Sequence, residues 1–194
     1  MNKRQMSTKR IYVGIRFPRR MGEKLFQIDE TLFTELGKRR VKWVDPASLH
    51  LTLFFAGYID RKKIEKLKGI LFNVAGSSKR FNLYPNKIGA FPSIKTPKTF
   101  WVDVGGEVQV LEMLVKEISK QAKKAGLYSE SFFMPHITIA KSKESIEIDE
   151  KLVEKANKLL ADKQVFTVTQ FEMIESKITN KGAIYTTLEK FPIK

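Results

Sequence analysis

The sequence contains no cysteine and only two histidines. Without cysteine, the chain cannot form disulfide bonds, use a thiolate nucleophile or bind zinc through thiolates. Two histidines are also too few for a histidine-rich metal site. The composition therefore favours chemistry without a metal ion, and we expect no cofactor.

Long apolar runs are missing as well. No stretch approaches the roughly 18 consecutive apolar residues of a membrane-spanning helix. The basic N-terminal segment, residues 1–9, is not followed by the apolar core of a signal peptide. We therefore expect a cytoplasmic protein with no membrane partner. The 194 residues suit one domain or two small lobes that share a core.

Acidic residues are outnumbered by basic ones, with 21 Asp and Glu against 36 Lys and Arg, for a net charge of +15. A surplus of this size attracts polyanions, RNA among them. Solubility alone is the competing explanation, because many basic proteins bind nucleic acid without specificity. The charge supports an anionic substrate and does not identify it.

Both histidines belong to His-x-Thr motifs that are embedded in apolar sequence: His50 with Thr52, and His136 with Thr138. Residues i and i+2 of a strand point to the same face. Each motif therefore presents an imidazole and a hydroxyl on one face and apolar side chains on the other. A lone histidine on a strand is more often structural, but a duplicated motif that uses every histidine favours catalysis.

Two imidazoles that face each other across a cleft can act as a general acid and a general base near neutral pH. A threonine hydroxyl beside each imidazole can donate a hydrogen bond to an anionic oxygen. This chemistry suits a phosphodiester, where positioning and charge stabilisation contribute most of the catalysis.

The order of the predicted elements indicates two similar halves. Hydrophobic spacing predicts helices over 21–40, 61–74, 107–124 and from a cap at Asp149, and strands over 10–16, 41–44, 49–55, 80–91, 99–104, 132–140, 164–176 and 183–188. Gly57 is expected to end the first motif strand. We predict an α+β fold with two pseudo-symmetric lobes, each an antiparallel-rich sheet with helices on its outer face, around a central cleft. Residues 1–194 would form one domain, with 1–9 as a basic tail.

These motifs resemble those of the two-histidine (2H) phosphoesterases, and in particular the bacterial and archaeal RNA 2',3'-cyclic phosphodiesterases, first named 2'-5' RNA ligases. A single His-x-Thr motif is a weak signal, whereas two of them in the same surrounding frame are specific. The resemblance covers nearly the whole chain and includes Ile11–Pro18, Trp43–Val44, Leu49–Leu53, Phe55–Gly57, Gly89–Pro92, Trp101–Val102, Pro135–Lys141, Glu175–Ser176 and Gly182–Tyr185.

The resemblance implies a LigT-like (cyclic phosphodiesterase) fold and a metal-independent reaction. A terminal 2',3'-cyclic phosphate of RNA would be hydrolysed to a 2'-phosphate, with reversible 2'-5' ligation as a side activity. His136 would be the proton acceptor and His50 the proton donor, while Thr52 and Thr138 hold the phosphate oxygens. The near symmetry of the motifs leaves the two histidine roles interchangeable. We expect a monomer.

Two positions depart from the family pattern. Lys141 stands where the family usually has arginine, so it keeps the charge and loses bidentate phosphate geometry. Phe54 stands where a polar or basic residue is frequent. By strand alternation it shares a face with His50, so it either borders the cleft and stacks on a base or is covered by a loop.

Other positions are predicted from their context. Phe132 or Phe133 precedes the second motif and would line the substrate pocket. Arg39, Arg40 and Lys42 are candidates for positive charge at the cleft edge. Three aromatic residues in strand patterns are expected in the core: Trp43, Phe100 and Trp101.

Two other functions remain open from the sequence. The same chemistry can act on a small molecule, such as the cyclic phosphate of a nucleotide or of ADP-ribose. The fold can also serve as a noncatalytic RNA-binding clamp, although two intact motifs argue against that.

Overall fold

Nine strands and four α-helices form the described part of this computed structural model, residues 8–36, 41–129, 133–144, 146–180 and 182–194. The strands are β1 (Lys9–Arg16), β2 (Val41–Trp43), β3 (His50–Ile59), β4 (Phe81–Phe91), β5 (Thr99–Gly106), β6 (His136–Ser142), β7 (Phe166–Val168), β8 (Gln170–Thr179) and β9 (Gly182–Pro192). The helices are α1 (Arg19–Leu36), α2 (Arg61–Ser77), α3 (Val108–Lys124) and α4 (Glu150–Lys158).

The strands form one antiparallel sheet in the order β7-β4-β5-β6-β3-β1-β8-β9, with β2 paired to β6. The predicted α+β fold is confirmed. The two lobes correspond to β3-β1-β8-β9 and β6-β5-β4-β7. They join through β3 and β6, which carry the two motifs, so the two predicted sheets are halves of one curled sheet.

A single hydrophobic core connects the sheet to the helices. Alternate strand residues enter it because a strand presents every second side chain to the same face. The helices contribute apolar stripes at helical spacing, as in α2 (Ile64, Leu67, Leu71, Val74) and α3 (Leu111, Leu114, Val115, Ile118, Ala122). The core therefore occupies one face of the sheet and leaves the other for the remaining side chains, which include both polar and aromatic residues.

Two predicted helix starts are confirmed by their caps. The carboxylate of Asp60 accepts a hydrogen bond from the Lys63 amide at 2.9 Å, and that of Asp149 accepts one from the Lys151 amide at 2.9 Å. Each bond satisfies an amide that has no partner within its helix.

Among the described residues, none of the helices combines the length and the apolar character that a membrane-spanning segment needs.

Some predicted boundaries were wrong. Strand β3 continues past Gly57, which adopts a positive φ of 67° where the pairing with β1 shifts by one residue. The strand predicted over 164–176 is two strands, β7 and β8, which pair in opposite lobes. Lys9, assigned to the tail, begins β1, and residues 1–7 and 37–40 lie outside the described ranges.

Candidate active site

The two motifs meet at the middle of the sheet. Leu51 of β3 pairs with Ile137 of β6, and both side chains are completely buried in the core. The residues on either side of this pair therefore point to the opposite face. In an antiparallel ladder this register brings the histidine of each motif next to the threonine of the other, and all four partly buried side chains onto one surface.

Both imidazole rings are oriented in the same way. The Nδ1 atom of His50 donates to the Ser48 carbonyl at 2.8 Å, and that of His136 donates to the Met134 carbonyl at 2.7 Å. A carbonyl oxygen can only accept, so Nδ1 carries the hydrogen in both rings. The Nε2 atom of each ring is left as the nitrogen that can exchange a proton with a substrate.

His50 packs against two tyrosines. The Tyr12 ring is 4.7 Å from the His50 ring centre to centre, and the Tyr185 ring is 5.2 Å away. Burial raises the pKa of Tyr12, so its hydroxyl remains protonated at neutral pH. The two tyrosine rings also contact each other edge to face at 5.9 Å, so the three rings form one cluster in which the imidazole is packed.

His136 is flanked by Phe91 at 5.5 Å and by Trp101 at 6.3 Å. Trp101 was predicted in the core, which is wrong, because Phe100 takes the core position beside it. The alternation of Trp101 with buried neighbours was the signal that this side chain faces the site. Gly89 leaves the space for it, since a Cβ there would approach the indole to an impossible distance.

A bulge in β3 overturns the placement of Phe54 on the site face. The pairing with β1 shifts by one residue between Thr52 and Phe54, so Leu53 and Phe54 both point inward. Phe54 is only 2% exposed, so its ring offers little surface on which a base could stack, although it forms part of the wall of the cavity beside the motifs. Phe55 takes the site face instead, which simple alternation from His50 did not predict.

A matching bulge lies in β6. Between Thr138 and Ala140 the pairing with β5 shifts by one residue, so Ile139 and Ala140 are both buried. The shift returns the exposed side chain of Lys141 to the face of His136. This position is compatible with a role in phosphate binding, which stays a prediction.

Of the further basic candidates, Lys42 pairs with Lys141 in the β2–β6 ladder, so both lie on the same face. Arg39 and Arg40 lie outside the described residues, as does Phe132.

A cavity of roughly 250 Å³ opens beside the motifs, between β3, α3 and the chain that leads into β6. Its wall is formed by ten residues: Thr52, Leu53, Phe54, Phe55, Val115, Ser119, Ser129, Phe133, Met134 and His136. The predicted pocket residue Phe133 is thus part of a cavity that also touches both motifs.

Within the described ranges, no cluster of three or more His, Asp or Glu side chains is arranged to hold a metal ion.

The two histidines have different electrostatic surroundings. Arg16 lies opposite His50 in the β1–β3 pairing, whereas Asp103 lies opposite His136 in the β5–β6 pairing. Burial lowers the pKa of His50 to about 4, and the positive charge of Arg16 acts in the same direction, against the hydrogen bond to Ser48. His50 is therefore neutral at pH 7 in the free protein.

This lowered pKa has a consequence for stability. Between pH 6.5 and about 4, His50 stays neutral in the folded protein but is protonated in the unfolded chain. The unfolded state binds more protons, so the free energy of unfolding falls as the pH falls through this window. The wild type is expected to lose about 3 kcal/mol more than His50→Gln between about pH 7 and about pH 4. Urea denaturation at each pH measures the difference, and parallel curves for the two proteins would contradict the prediction.

The sequence is similar to those of known proteins. Residues 27–178 match the model of the 2'-5' RNA ligase superfamily. The RNA 2',3'-cyclic phosphodiesterase of Aquifex aeolicus is 31% identical over 158 residues, covering 77% of this chain and 80% of that protein. The protein of the same name from Archaeoglobus fulgidus is 27% identical over 183 residues, covering 94% and 99%.

Solved structures have the same fold. The crystal structure of TT0787 from Thermus thermophilus superposes with a TM-score of 0.76 at 21% identity, covering 95% of this chain and 97% of that one. The apo structure of E. coli LigT superposes with a TM-score of 0.75 at 20% identity, covering 97% and 99%.

Proposed function

The chain belongs to the 2'-5' RNA ligase superfamily, and on this premise we propose that it is an RNA 2',3'-cyclic phosphodiesterase that leaves a 2'-phosphate. The main support is the pairing of Leu51 with Ile137, which brings two oriented imidazoles and two hydroxyls onto one surface. Relatives named RNA 2',3'-cyclic phosphodiesterase support the same reaction.

In the proposed reaction, His136 Nε2 takes a proton from water as the water oxygen attacks phosphorus. The bond from phosphorus to the 3' oxygen breaks, and His50 Nε2 gives a proton to that oxygen. The hydroxyls of Thr52 and Thr138 donate to the nonbridging oxygens, where negative charge builds up. Lys141 supplies positive charge at the edge of the site.

This assignment requires His50 to gain a proton, because it is neutral in the free protein. A bound cyclic phosphate carries a negative charge, and a negative charge beside an imidazole favours the protonated form. Substrate binding would thus prepare the proton donor. In 2'-5' ligation an RNA 5'-hydroxyl replaces water as the nucleophile and the 3' oxygen is still the leaving group, so His136 and His50 keep these roles. They would exchange roles only in the reverse reaction, the cleavage of a 2'-5' linkage.

A direct test is the hydrolysis of a short RNA that ends in a 2',3'-cyclic phosphate, with EDTA present, followed by ³¹P NMR of the product. Exclusive formation of the 2'-phosphate is expected, since the 3' oxygen is the leaving group. A 3'-phosphate product, or loss of turnover with EDTA, would contradict the proposal.

A cyclic phosphate on a small molecule is the second candidate substrate, and ionic strength separates it from RNA. The net charge of +15 favours a substrate with several phosphates. For RNA, log(kcat/KM) is expected to fall linearly with log[salt], with a slope of about −0.7 for each phosphate contacted. A cyclic mononucleotide is the matched control because it offers one phosphate. Equal slopes and equal kcat/KM for both substrates would favour the small molecule.

A noncatalytic RNA-binding role is the third candidate, and binding of cyclic-phosphate RNA without any turnover would support it.

We further propose that the protein acts as a monomer in the cytoplasm. Sedimentation with and without RNA tests the first part of that proposal.

A further inference from the structure

A buried carboxylate lies close to the site without belonging to either motif. Glu172 of β8 is 4% exposed and accepts hydrogen bonds from Arg16 Nε at 3.2 Å, Thr187 Oγ1 at 2.7 Å and Gln170 Nε2 at 3.3 Å. A buried carboxylate is tolerated when it is paired with a cation and fully hydrogen-bonded. Glu172 meets both conditions, so it holds the Arg16 guanidinium in a fixed position.

The other end of the guanidinium reaches the segment that orients His50. Arg16 Nη1 donates to the Ala47 carbonyl at 2.9 Å, and the next residue, Ser48, supplies the carbonyl that accepts from His50 Nδ1. Arg16 is also the cross-strand partner of His50. Arg16 therefore acts on His50 in two ways, through the backbone that orients the ring and through its charge.

We propose that Arg16 and Glu172 form a positioning pair that orients His50 and disfavours a positive charge on its imidazole until an anionic phosphate binds beside it. The guanidinium opposes a second positive charge on the imidazole, and a bound phosphate offsets the guanidinium. Only the identity of the ligand rests on the proposed function, because the effect on His50 is present in the free protein.

The other groups that face His50 are Tyr12 from β1, Tyr185 from β9 and His136 from β6. Tyr12 is neutral because burial raises its pKa. Burial of the imidazole is the largest cause of the lowered pKa of His50, and the charge of Arg16 adds to it. Removing Arg16 and removing Glu172 should therefore have opposite effects, since the first deletes the cation and the second deletes its counter-charge.

The test is an NMR titration of the imidazole signals, which is simple because the chain has two histidines. Arg16→Gln is expected to raise the pKa of His50 by about one unit, and Glu172→Gln to lower it. Arg16→Lys keeps the charge and should stay close to the wild type. If both residues were purely structural, Arg16→Gln and Glu172→Gln would shift the pKa of His50 in the same direction. That result, or no shift in either variant, would overturn the proposal.

The ion pair between Lys9 and Glu175 supplies a matched control. It joins the same two strands, β1 and β8, but lies on the face that carries the helices. Lys9→Gln and Glu175→Gln should leave the pKa of His50 unchanged. A shift equal to that of the Arg16 and Glu172 variants would show that any loosening of these strands has the same effect, and would overturn the proposal.

A nucleoside 2'-monophosphate serves as the probe for the phosphate-dependent step. At saturation it is expected to raise the pKa of His50 in the wild type by about one unit or more. If the variants behave as expected and this nucleotide changes nothing, the phosphate-dependent step is overturned. The proposed function is judged separately, by turnover of cyclic-phosphate RNA.

Discussion

Replacing either His50 or His136 by glutamine is expected to lower kcat for hydrolysis of a cyclic-phosphate RNA by about 10²–10⁴-fold. Glutamine can form hydrogen bonds but cannot transfer a proton at neutral pH, so the variants keep the shape of the site and lose its chemistry. Single-turnover hydrolysis of a labelled RNA measures the rate, and equilibrium binding of the same RNA at low temperature is expected to change only slightly.

The double variant is the control for this prediction. Residues that act as a unit have non-additive effects, so the double variant should be about as slow as the slower single variant. Full activity in either single variant would mean that the paired motifs are structural in this protein. Unchanged circular dichroism and thermal unfolding near neutral pH are needed to exclude loss of the fold.

Phe54→Ala is expected to lower the free energy of unfolding by about 3–5 kcal/mol, because it empties a fully buried aromatic site in the core. The size of this loss follows from the bulge in β3, which turns Phe54 away from the histidines. Urea denaturation gives the stability. The KM for RNA, measured where the variant is folded, should stay close to that of the wild type.

Phe55→Ala is the matched variant. Phe55 is partly buried on the site face, where the Arg10 guanidinium lies 4.7 Å from its ring centre. Compared with Phe54→Ala, the Phe55→Ala variant should lose less free energy of unfolding and show a larger increase in the KM for RNA. The reverse result, a stable Phe54→Ala protein with a raised KM, would mean that the strand alternates regularly through Phe54 and that this aromatic ring meets the substrate.

The two motifs are nearly identical in sequence, yet their surroundings differ. His50 packs against Tyr12 and Tyr185 and faces Arg16, whereas His136 lies beside Phe91 and faces Asp103. Two equivalent imidazoles would have no preferred direction of proton transfer. The difference in neighbouring charge distinguishes the two imidazoles in the free protein, and the titrations of the Arg16 and Glu172 variants measure its effect on His50.

The sequence by itself determined the α+β class, the two lobes and the pairing of each histidine with a threonine. These features follow from local periodicity. Side chains two residues apart on a strand point to the same face, and apolar residues at helical spacing identify α2 and α3. The caps at Asp60 and Asp149 were equally local, because a capping side chain contacts amides only two or three residues away.

Only the tertiary structure decided the rest. A bulge depends on how one strand pairs with another, so the local pattern could not reveal that Phe55 and Lys141, rather than residues at regular alternation, continue the site face. The contact of Arg16 with Glu172 joins the two ends of the chain, at a separation of 156 residues. Contacts of that kind form only when β1 and β8 become neighbours in the sheet, and they determine the charge that His50 experiences.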